Sequence, residues 1–410
     1  MKVLVVASKY PPEYSGAGFR IHSTYKRISK AETITWETIA NSTEYIGNKN
    51  TLYDGVNVTR ISSRLFFNWQ NYKNRILRKI SYALKTYIEV LNTIPYLISK
   101  DYDLVHVIGM SSSTAIAIFF SKIFKKPLII ELVTANATPH QQLPCFPFYK
   151  FINLGKQTVI IAISSALGNK CNKLALSKNV WVRPNPVDET RFYYDKKNKF
   201  NFRNEFTQFS QDDCLITSVS KFMPQKNQLF LLDVIMKLPE RFKLLLAGPI
   251  VKSGIYQNRD NDYLNTIKSV ITKNNLENRV QVIADYVDIE KFIKASDIYA
   301  MPNIEEGLGT PMLESLSCGI PVVANNQEEA FKEWIEDGVN GYCVDLNVDL
   351  WCEYILKAES FHEKDMQKTS LKIRELASFK YIDVVYKNII MQLRNMSGNG
   401  FVDVKSIVKN

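Results

Sequence analysis

The sequence predicts an α/β protein built from two doubly wound, Rossmann-like domains whose parallel sheets face one another across a cleft. Three observations predict it. Apolar runs of four to six residues alternate with helical stretches along the chain, the pattern of parallel strands covered on both faces. At 410 residues the chain is too long for one ordinary core and suits two domains of roughly 200 residues each. Finally, the stretch Arg183-Pro184-Asn185-Pro186-Val187-Asp188 separates the runs into two sets, its prolines stopping any helix and stiffening the connection.

The first set of strands is expected at 3–7, 104–108, 128–131, 158–163 and 180–183. The second is expected at 215–220, 242–247, 280–283, 298–301 and 321–324. This divides the chain into a first domain over 1–184, a second over 185–376, a helix over 377–396 and a tail over 397–410. Ligands in such sheets sit outside the carboxyl ends of the strands, so each strand-to-loop junction is a candidate site.

Composition narrows the classes. A hydrophobic fraction of 46% with 23% charged residues fits a folded soluble protein without low-complexity tracts. The six cysteines are scattered, with no C-x-x-C pair, which argues against a disulfide framework or a zinc knuckle and fits a reducing cytoplasm. Four separated histidines with no metal spacing leave no structural or catalytic zinc to expect. The apolar run at 3–7 is too short for a signal peptide, and nowhere do about 18 apolar residues follow one another, so no membrane span is expected.

The net charge of +11 asks for a partner. Arg60, Arg64, Lys73, Arg75, Arg78, Lys79, Lys85 and Lys100 face a single acid, Glu89, with aromatics interleaved. From 72 to 97, Ile76, Ile80, Leu84, Tyr87, Ile88 and Leu91 recur at helical spacing. An anionic membrane surface is therefore a candidate partner through 64–100, at the inner face of the cell membrane. Packing of the same stripe on its own domain is an equal alternative, and nucleic acid is not expected as a partner.

The densest signal lies in EGLGTPMLESLSCGIPVVA from Glu306 onward. It reads as a glycine-containing loop after the strand at 298–301, a helix over 310–318 and a further strand. Gly307 and Gly309 remove side-chain bulk at a helix N-terminus, where backbone N–H groups and the helix dipole favour an anion such as phosphate. Carboxylates beside a phosphate site suit neutral hydroxyls, so Glu306 and Glu314 are expected to read the hydroxyls of a nucleotide sugar. In the second domain's first junction, Lys221 and Lys226 can neutralise a pyrophosphate leaving group. After the first strand of the chain, Gly16 and Gly18 open a helix and can admit a phosphate or sugar at close backbone approach, although the full dinucleotide fingerprint is missing. Asp101-Tyr102-Asp103 reads as a helix-to-strand turn and Asp260-Asn261-Asp262 as an exposed loop.

With these residues in place, the chain resembles a family-4 glycosyltransferase of the retaining group with the GT-B fold. The resemblance rests on SKYPPEYSGAG, DLVHVIG, IAISSAL, NVWVRPNPVDETRF, SVSKFMPQKN, LLLAGP, SDIYAMPNIEEGLGTPMLESLSCGIPVVA and DGVNGYCV, in that order. It implies that Lys221 and Lys226 hold the donor diphosphate, with Lys221 standing where the family commonly has arginine. It implies further that Glu306 contacts the transferred sugar, Glu314 the ribose, the amides from Gly307 through Leu308 and Gly309 to Thr310 the sugar and phosphate, and Gly16 the phosphate. The base is expected against 284–287, including Tyr286, largely through backbone. The helix over 379–393 resembles the one that crosses back onto the first domain. On the acceptor side, His106 and Asn136 are candidates, because Thr134 to Asn136 stand where many relatives carry a histidine.

The expected reaction moves a sugar from a nucleoside diphosphate to a hydroxyl of a glycan or lipid-linked acceptor with retention, in cell-surface polysaccharide assembly. It needs no cofactor or metal if the lysines supply the countercharge. A nucleotide-sugar epimerase or phosphorylase on the same architecture, and a non-catalytic nucleotide-sugar-binding module, are the alternatives.

Overall fold

The computed structural model describes residues 1–13, 15–30, 34–42, 44–45, 47–62, 75–99, 101–133, 157–172, 179–250, 257–395 and 402–409. Two compact units emerge: Met1–Arg183 with Asp383–Asn410, and Pro184–Ile382. The helix Phe379–Asn395 begins in the second unit, and its residues from Asp383 onward belong to the first.

Strands of the first unit are β1 (Lys2–Ala7), β2 (Thr35–Ser42), β3 (Lys49–Tyr53), β4 (Val56–Ser62), β5 (Leu104–Ile108), β6 (Leu128–Leu132), β7 (Thr158–Ala162) and β8 (Val180–Val182). They form a sheet in the order β3-β4-β2-β1-β5-β6-β7-β8. All its pairings are parallel except β3 with β4. Strands β5, β6 and β7 are buried at every position, which is why their sequences are continuous apolar runs rather than alternating ones.

The stretch 35–62 was not read as strand from sequence, and its burial says why. β2 reads TWETIANS, with Thr38, Asn41 and Ser42 buried alongside Ile39 and Ala40, so the apolar run that signals a covered strand is absent. In β4, Arg60 is almost wholly buried and donates from Nη1 to the Tyr10 carbonyl at 2.6 Å and from Nη2 to the Pro11 carbonyl. A buried guanidinium satisfied by main-chain carbonyls looks, in sequence, like a surface charge.

The second unit holds β9 (Cys214–Val219), β10 (Phe242–Ala247), β11 (Val280–Ile283), β12 (Ile298–Met301), β13 (Val322–Asn325) and β14 (Gly341–Val344), in the order β11-β10-β9-β12-β13-β14. Counted from its own first strand this is 3-2-1-4-5-6, all parallel, the doubly wound order with a switch point between β9 and β12. Its core gathers Ile216, Phe242, Leu244, Leu246, Ile298, Val323 and Trp351. The expected exposed loop at Asp260 is overturned: 260–262 lie in the helix Gln257–Lys273, and Asp260 is fully buried. Its polar sequence hid a charge held inward by cations.

The basic stretch forms the helix Arg75–Ser99, while 64–74 and Lys100 lie outside the described residues. Its buried positions are Ser81, Glu89, Thr93 and Leu97, while Ile76, Ile80, Leu84, Tyr87, Ile88 and Leu91 are exposed. Among the described residues the stripe is exposed, and the inward face carries Ser81, Glu89, Thr93 and Leu97. No helix among the described residues is long and apolar enough to cross a membrane.

Candidate active site

At the switch point of the second unit, the loop after β9 (220–227) meets the loop after β12 (302–309). Backbone geometry brings them together. Gly248 follows β10 at φ +143°, and a Cβ there would stand 2.1 Å from the Ser220 carbonyl oxygen, so only glycine permits this approach. Gln228 Nε2 donates to Ser220 Oγ and to the Lys221 carbonyl, each at 3.0 Å. The Ile304 N–H donates to the Gln225 carbonyl at 2.8 Å, and Asn227 Nδ2 to the Pro302 carbonyl at 3.3 Å. The loops are thereby fixed before any ligand arrives.

Two of the expected charged residues are brought into direct contact: Lys226 Nζ pairs with Glu306 Oε2. Asn303 Nδ2 donates to the same oxygen at 2.9 Å. Burial would raise the Glu306 carboxyl, but the Lys226 ammonium, with hydrogen bonds from Asn303 and the Gly307 N–H, holds it below the usual carboxylate range. Glu328 secures the turn by accepting from the N–H of Glu305 at 2.6 Å and of Glu306 at 2.9 Å.

Beyond Gly307, the backbone N–H groups of Leu308, Gly309 and Thr310 donate to no group among the described residues. Gly309 stands at φ +77° as the cap of the helix Thr310–Ser317, and a Cβ there would meet Met301 Cε and Phe331 Cε1 at 2.7 Å. Three successive amides at a helix start form a cradle for an anion. The Leu308 side chain is buried, so only its backbone serves. Thr310 Oγ1 accepts from Asn185 Nδ2 at 2.6 Å.

Glu314 lies one turn inside that helix. Its carboxylate makes no hydrogen bond or ion pair among the described residues, and desolvation raises it to about 7 against a lesser opposing pull from Arg191. A partly buried carboxyl without donors is placed to accept hydroxyls. Lys221 points its ammonium at Asp260 Oδ2, 3.0 Å away, and Arg259 donates to Asp260 Oδ1 at 2.6 Å. Tyr286 is exposed on the loop after β11; its hydroxyl makes no hydrogen bond among the described residues.

In the first unit, Gly16 opens the helix Gly16–Ile28 with empty space where a Cβ would be. Gly18 differs from its expected role: a Cβ there would stand 2.4 Å from the Lys9 carbonyl oxygen, so its missing side chain serves packing rather than a ligand. His106, an acceptor-side candidate, is fully enclosed. Its Nδ1 meets Tyr25 Oη at 2.9 Å and its Nε2 lies 3.5 Å from Glu131; desolvation lowers its basicity. That is the setting of a core histidine. Asn136 lies outside the described residues.

Comparison with known proteins bears on the second unit. Residues 200–375 match the family described as glycosyl transferases group 1. The second unit carries a group 1 glycosyltransferase domain. A UDP-Gal:alpha-D-GlcNAc-diphosphoundecaprenol alpha-1,3-galactosyltransferase of Escherichia coli is 24% identical to the chain over 230 residues, 56% of this chain and 52% of that protein. An N-acetyl-alpha-D-glucosaminyl L-malate synthase of Bacillus anthracis is 22% identical over 249 residues, 59% of this chain and 61% of that one. The chain thus spans about half to three-fifths of these relatives' lengths. Among solved structures, Anabaena HepE with UDP and glucose aligns over 97% of this chain and 100% of its own at a TM-score of 0.66 and 17% identity. Sucrose-phosphate synthase from Thermosynechococcus elongatus covers 96% and 99% at 0.72 and 13%. The fold is GT-B.

Within the group 1 domain, sequence reasoning missed Asn303, Glu328 and Asp260. Asn303 stands three residues before Glu306 and was open to view. Glu328 and Asp260 act across loops and carry no local signal.

Proposed function

We propose that the protein transfers a sugar from a nucleoside-diphosphate sugar to a hydroxyl of a glycan or lipid-linked acceptor, with retention and without metal, in cell-surface polysaccharide assembly. The observation that carries the reading is the trio of unpartnered amides at 308–310 set between the Lys226–Glu306 pair and the desolvated Glu314. Amides and lysine suit the diphosphate, and the two carboxyls suit hydroxyls of sugar and ribose. In the transition state, Lys226 and the amides would stabilise the departing diphosphate, whose oxygen can take the acceptor proton on the same sugar face. The second unit is then the donor-binding domain and the first the acceptor-binding one. The UDP and glucose in the HepE structure and the reaction named for the Escherichia coli relative favour a nucleotide-sugar donor and a lipid-linked acceptor.

Calorimetry with UDP, GDP and ADP in metal-free buffer tests the donor site. One nucleotide is expected to bind, weakened by both Lys226→Ala and Glu314→Ala; indifference to both substitutions would remove the assignment. Retention is checked by the anomeric configuration of the product.

Contact with an anionic membrane surface is favoured by the helix Arg75–Ser99, whose apolar residues Ile76, Ile80, Tyr87 and Leu91 face outward beside Arg75, Arg78 and Lys79. Co-sedimentation with anionic but not neutral vesicles is expected, and equal failure with both would end this reading.

A further inference from the structure

We propose that the first unit carries a pocket of its own for a phosphorylated sugar, seated at the carboxyl ends of β1, β2 and β5 beneath the helix Arg75–Ser99. The cavity measures about 240 Å³ and is lined by Lys9, Asn41, Lys85, Glu89 and Ser112, with hydroxyls of further serines and threonines. At about 30 Å³ per water molecule, that is room for one sugar ring with its substituents.

The ligand chemistry follows from the lining. Asn41, on β2, is 6% exposed, and neither its Oδ1 nor its Nδ2 has a partner among the described residues. A buried amide left wholly unsatisfied is rare and destabilising, and a ligand that both donates and accepts would complete it. Glu89 is buried on the inward face of the helix, with Lys85 Nζ only loosely paired to it at 3.9 Å. Lys9 and Lys85 against Glu89 leave one net positive charge. Ser111 caps the helix Ser112–Ile123 with a capping box, and the Ser112 N–H donates to no described group, adding the positive end of a helix dipole. Hydroxyls for Asn41 and Glu89, together with an anion for the lysines and the helix start, describe a sugar phosphate.

That this ligand is the acceptor rests on the proposed transfer; that the pocket binds it does not. The sugar phosphate could be free or carried on a lipid, and the test separates the two. Calorimetry on the full chain uses glucose 1-phosphate and N-acetylglucosamine 1-phosphate, with the unphosphorylated sugars and inorganic phosphate as controls. Neutral vesicles bearing a polyprenyl-phosphate sugar supply the lipid arm. A sugar phosphate, free or lipid-borne, is expected to bind at one site. Asn41→Leu and Lys85→Met should each weaken it about tenfold, the scale of one hydrogen bond to a charged group, and neither Glu314→Ala nor added UDP should change it. Because Asn41→Leu removes an unsatisfied amide, its thermal midpoint should hold or rise. Absence of binding by every sugar phosphate, binding untouched by both pocket substitutions, or displacement by UDP would each overturn the proposal. A lower midpoint for Asn41→Leu with unchanged affinity would do so too, by assigning Asn41 to the fold alone. A failed donor site, in contrast, would show as absent nucleotide binding with this pocket intact.

Discussion

The two sheets share a doubly wound order, yet their charges are used differently. In the second unit, Lys226 holds Glu306 and Lys221 holds Asp260 at the strand ends, where the loops are open to ligands. In the first, the heaviest charge cluster is sunk in the core. Glu131 on β6 accepts from Arg183 Nη2 at 2.7 Å and from Tyr386 Oη at 2.8 Å, with Arg20 at 3.5 Å. Arg183 also donates to Tyr386 Oη at 2.5 Å. Burial would raise the Glu131 carboxyl, but Arg183, His106 and Arg20 hold it well below the usual range. On the proposed function one kind of ion pair is exchanged for a ligand; the other fastens the helix Phe379–Asn395 to the sheet of its unit.

The sharpest way to break this contrast is to remove a carboxylate from each. Glu131→Ala leaves Arg183 buried without its counterion, which costs about 3–5 kcal/mol; urea unfolding should show the loss in full or yield no folded protein. Glu306→Ala frees a lysine that can turn to water, and should change stability by less than about 1 kcal/mol. Equal losses would mean that both pairs are structural.

Activity should reverse the order. Lys226→Ala is expected to slow nucleoside diphosphate release by about 10²–10³-fold, the scale for one donor that stabilises developing charge. An enzyme-coupled assay of nucleoside diphosphate measures this, and a residual rate near that of the unmodified protein would take Lys226 out of the mechanism.

Glu314 links the comparison to pH. Its carboxyl is raised to about 7 by desolvation, so the folded chain holds a proton that the unfolded chain releases near the ordinary carboxylate pKa. Stability from this group is therefore lost as pH rises from about 4.5 towards 7, by at most roughly 3 kcal/mol. Ribose hydroxyls donate to the ionised form, so nucleotide affinity should rise with pH across the same upper range. Glu314→Gln should flatten both trends, leaving only the slope of the nucleotide's own phosphate. An unchanged pH profile in the variant would place the titration elsewhere.

How much of this could be read beforehand divides along the same line. The strands at 104–108, 242–247, 280–283 and 298–301 coincide with β5, β10, β11 and β12, because covered parallel strands carry continuous apolar runs. The stretch 35–62 escaped because its buried positions include Asn41 beside a cavity and Arg60 satisfied by main-chain carbonyls, and periodicity does not register polar burial. The Lys226–Glu306 contact joined two residues singled out for separate reasons. The partners Asp260 and Glu328 were invisible, since a charge that closes a long-range pair has the same local sequence as one that faces water.

The finest distinction lies between the two lysines. Both ammonium groups are already paired, but Asp260 is fully buried, with Arg259 on its other oxygen, whereas Glu306 keeps some exposure. Parting Lys221 from Asp260 would strand a buried carboxylate on a single arginine; parting Lys226 from Glu306 leaves a carboxylate that Asn303 and the Gly307 N–H still serve. An arriving diphosphate should therefore draw on Lys226 more than on Lys221. In calorimetry, Lys226→Ala should weaken nucleoside diphosphate binding about tenfold or more and Lys221→Ala only about threefold, the latter with a lower thermal midpoint because Asp260 loses half its countercharge. Equal losses of affinity would show that Lys221 leaves Asp260 for the ligand, and that Arg259 alone is enough to hold that buried carboxylate in the complex.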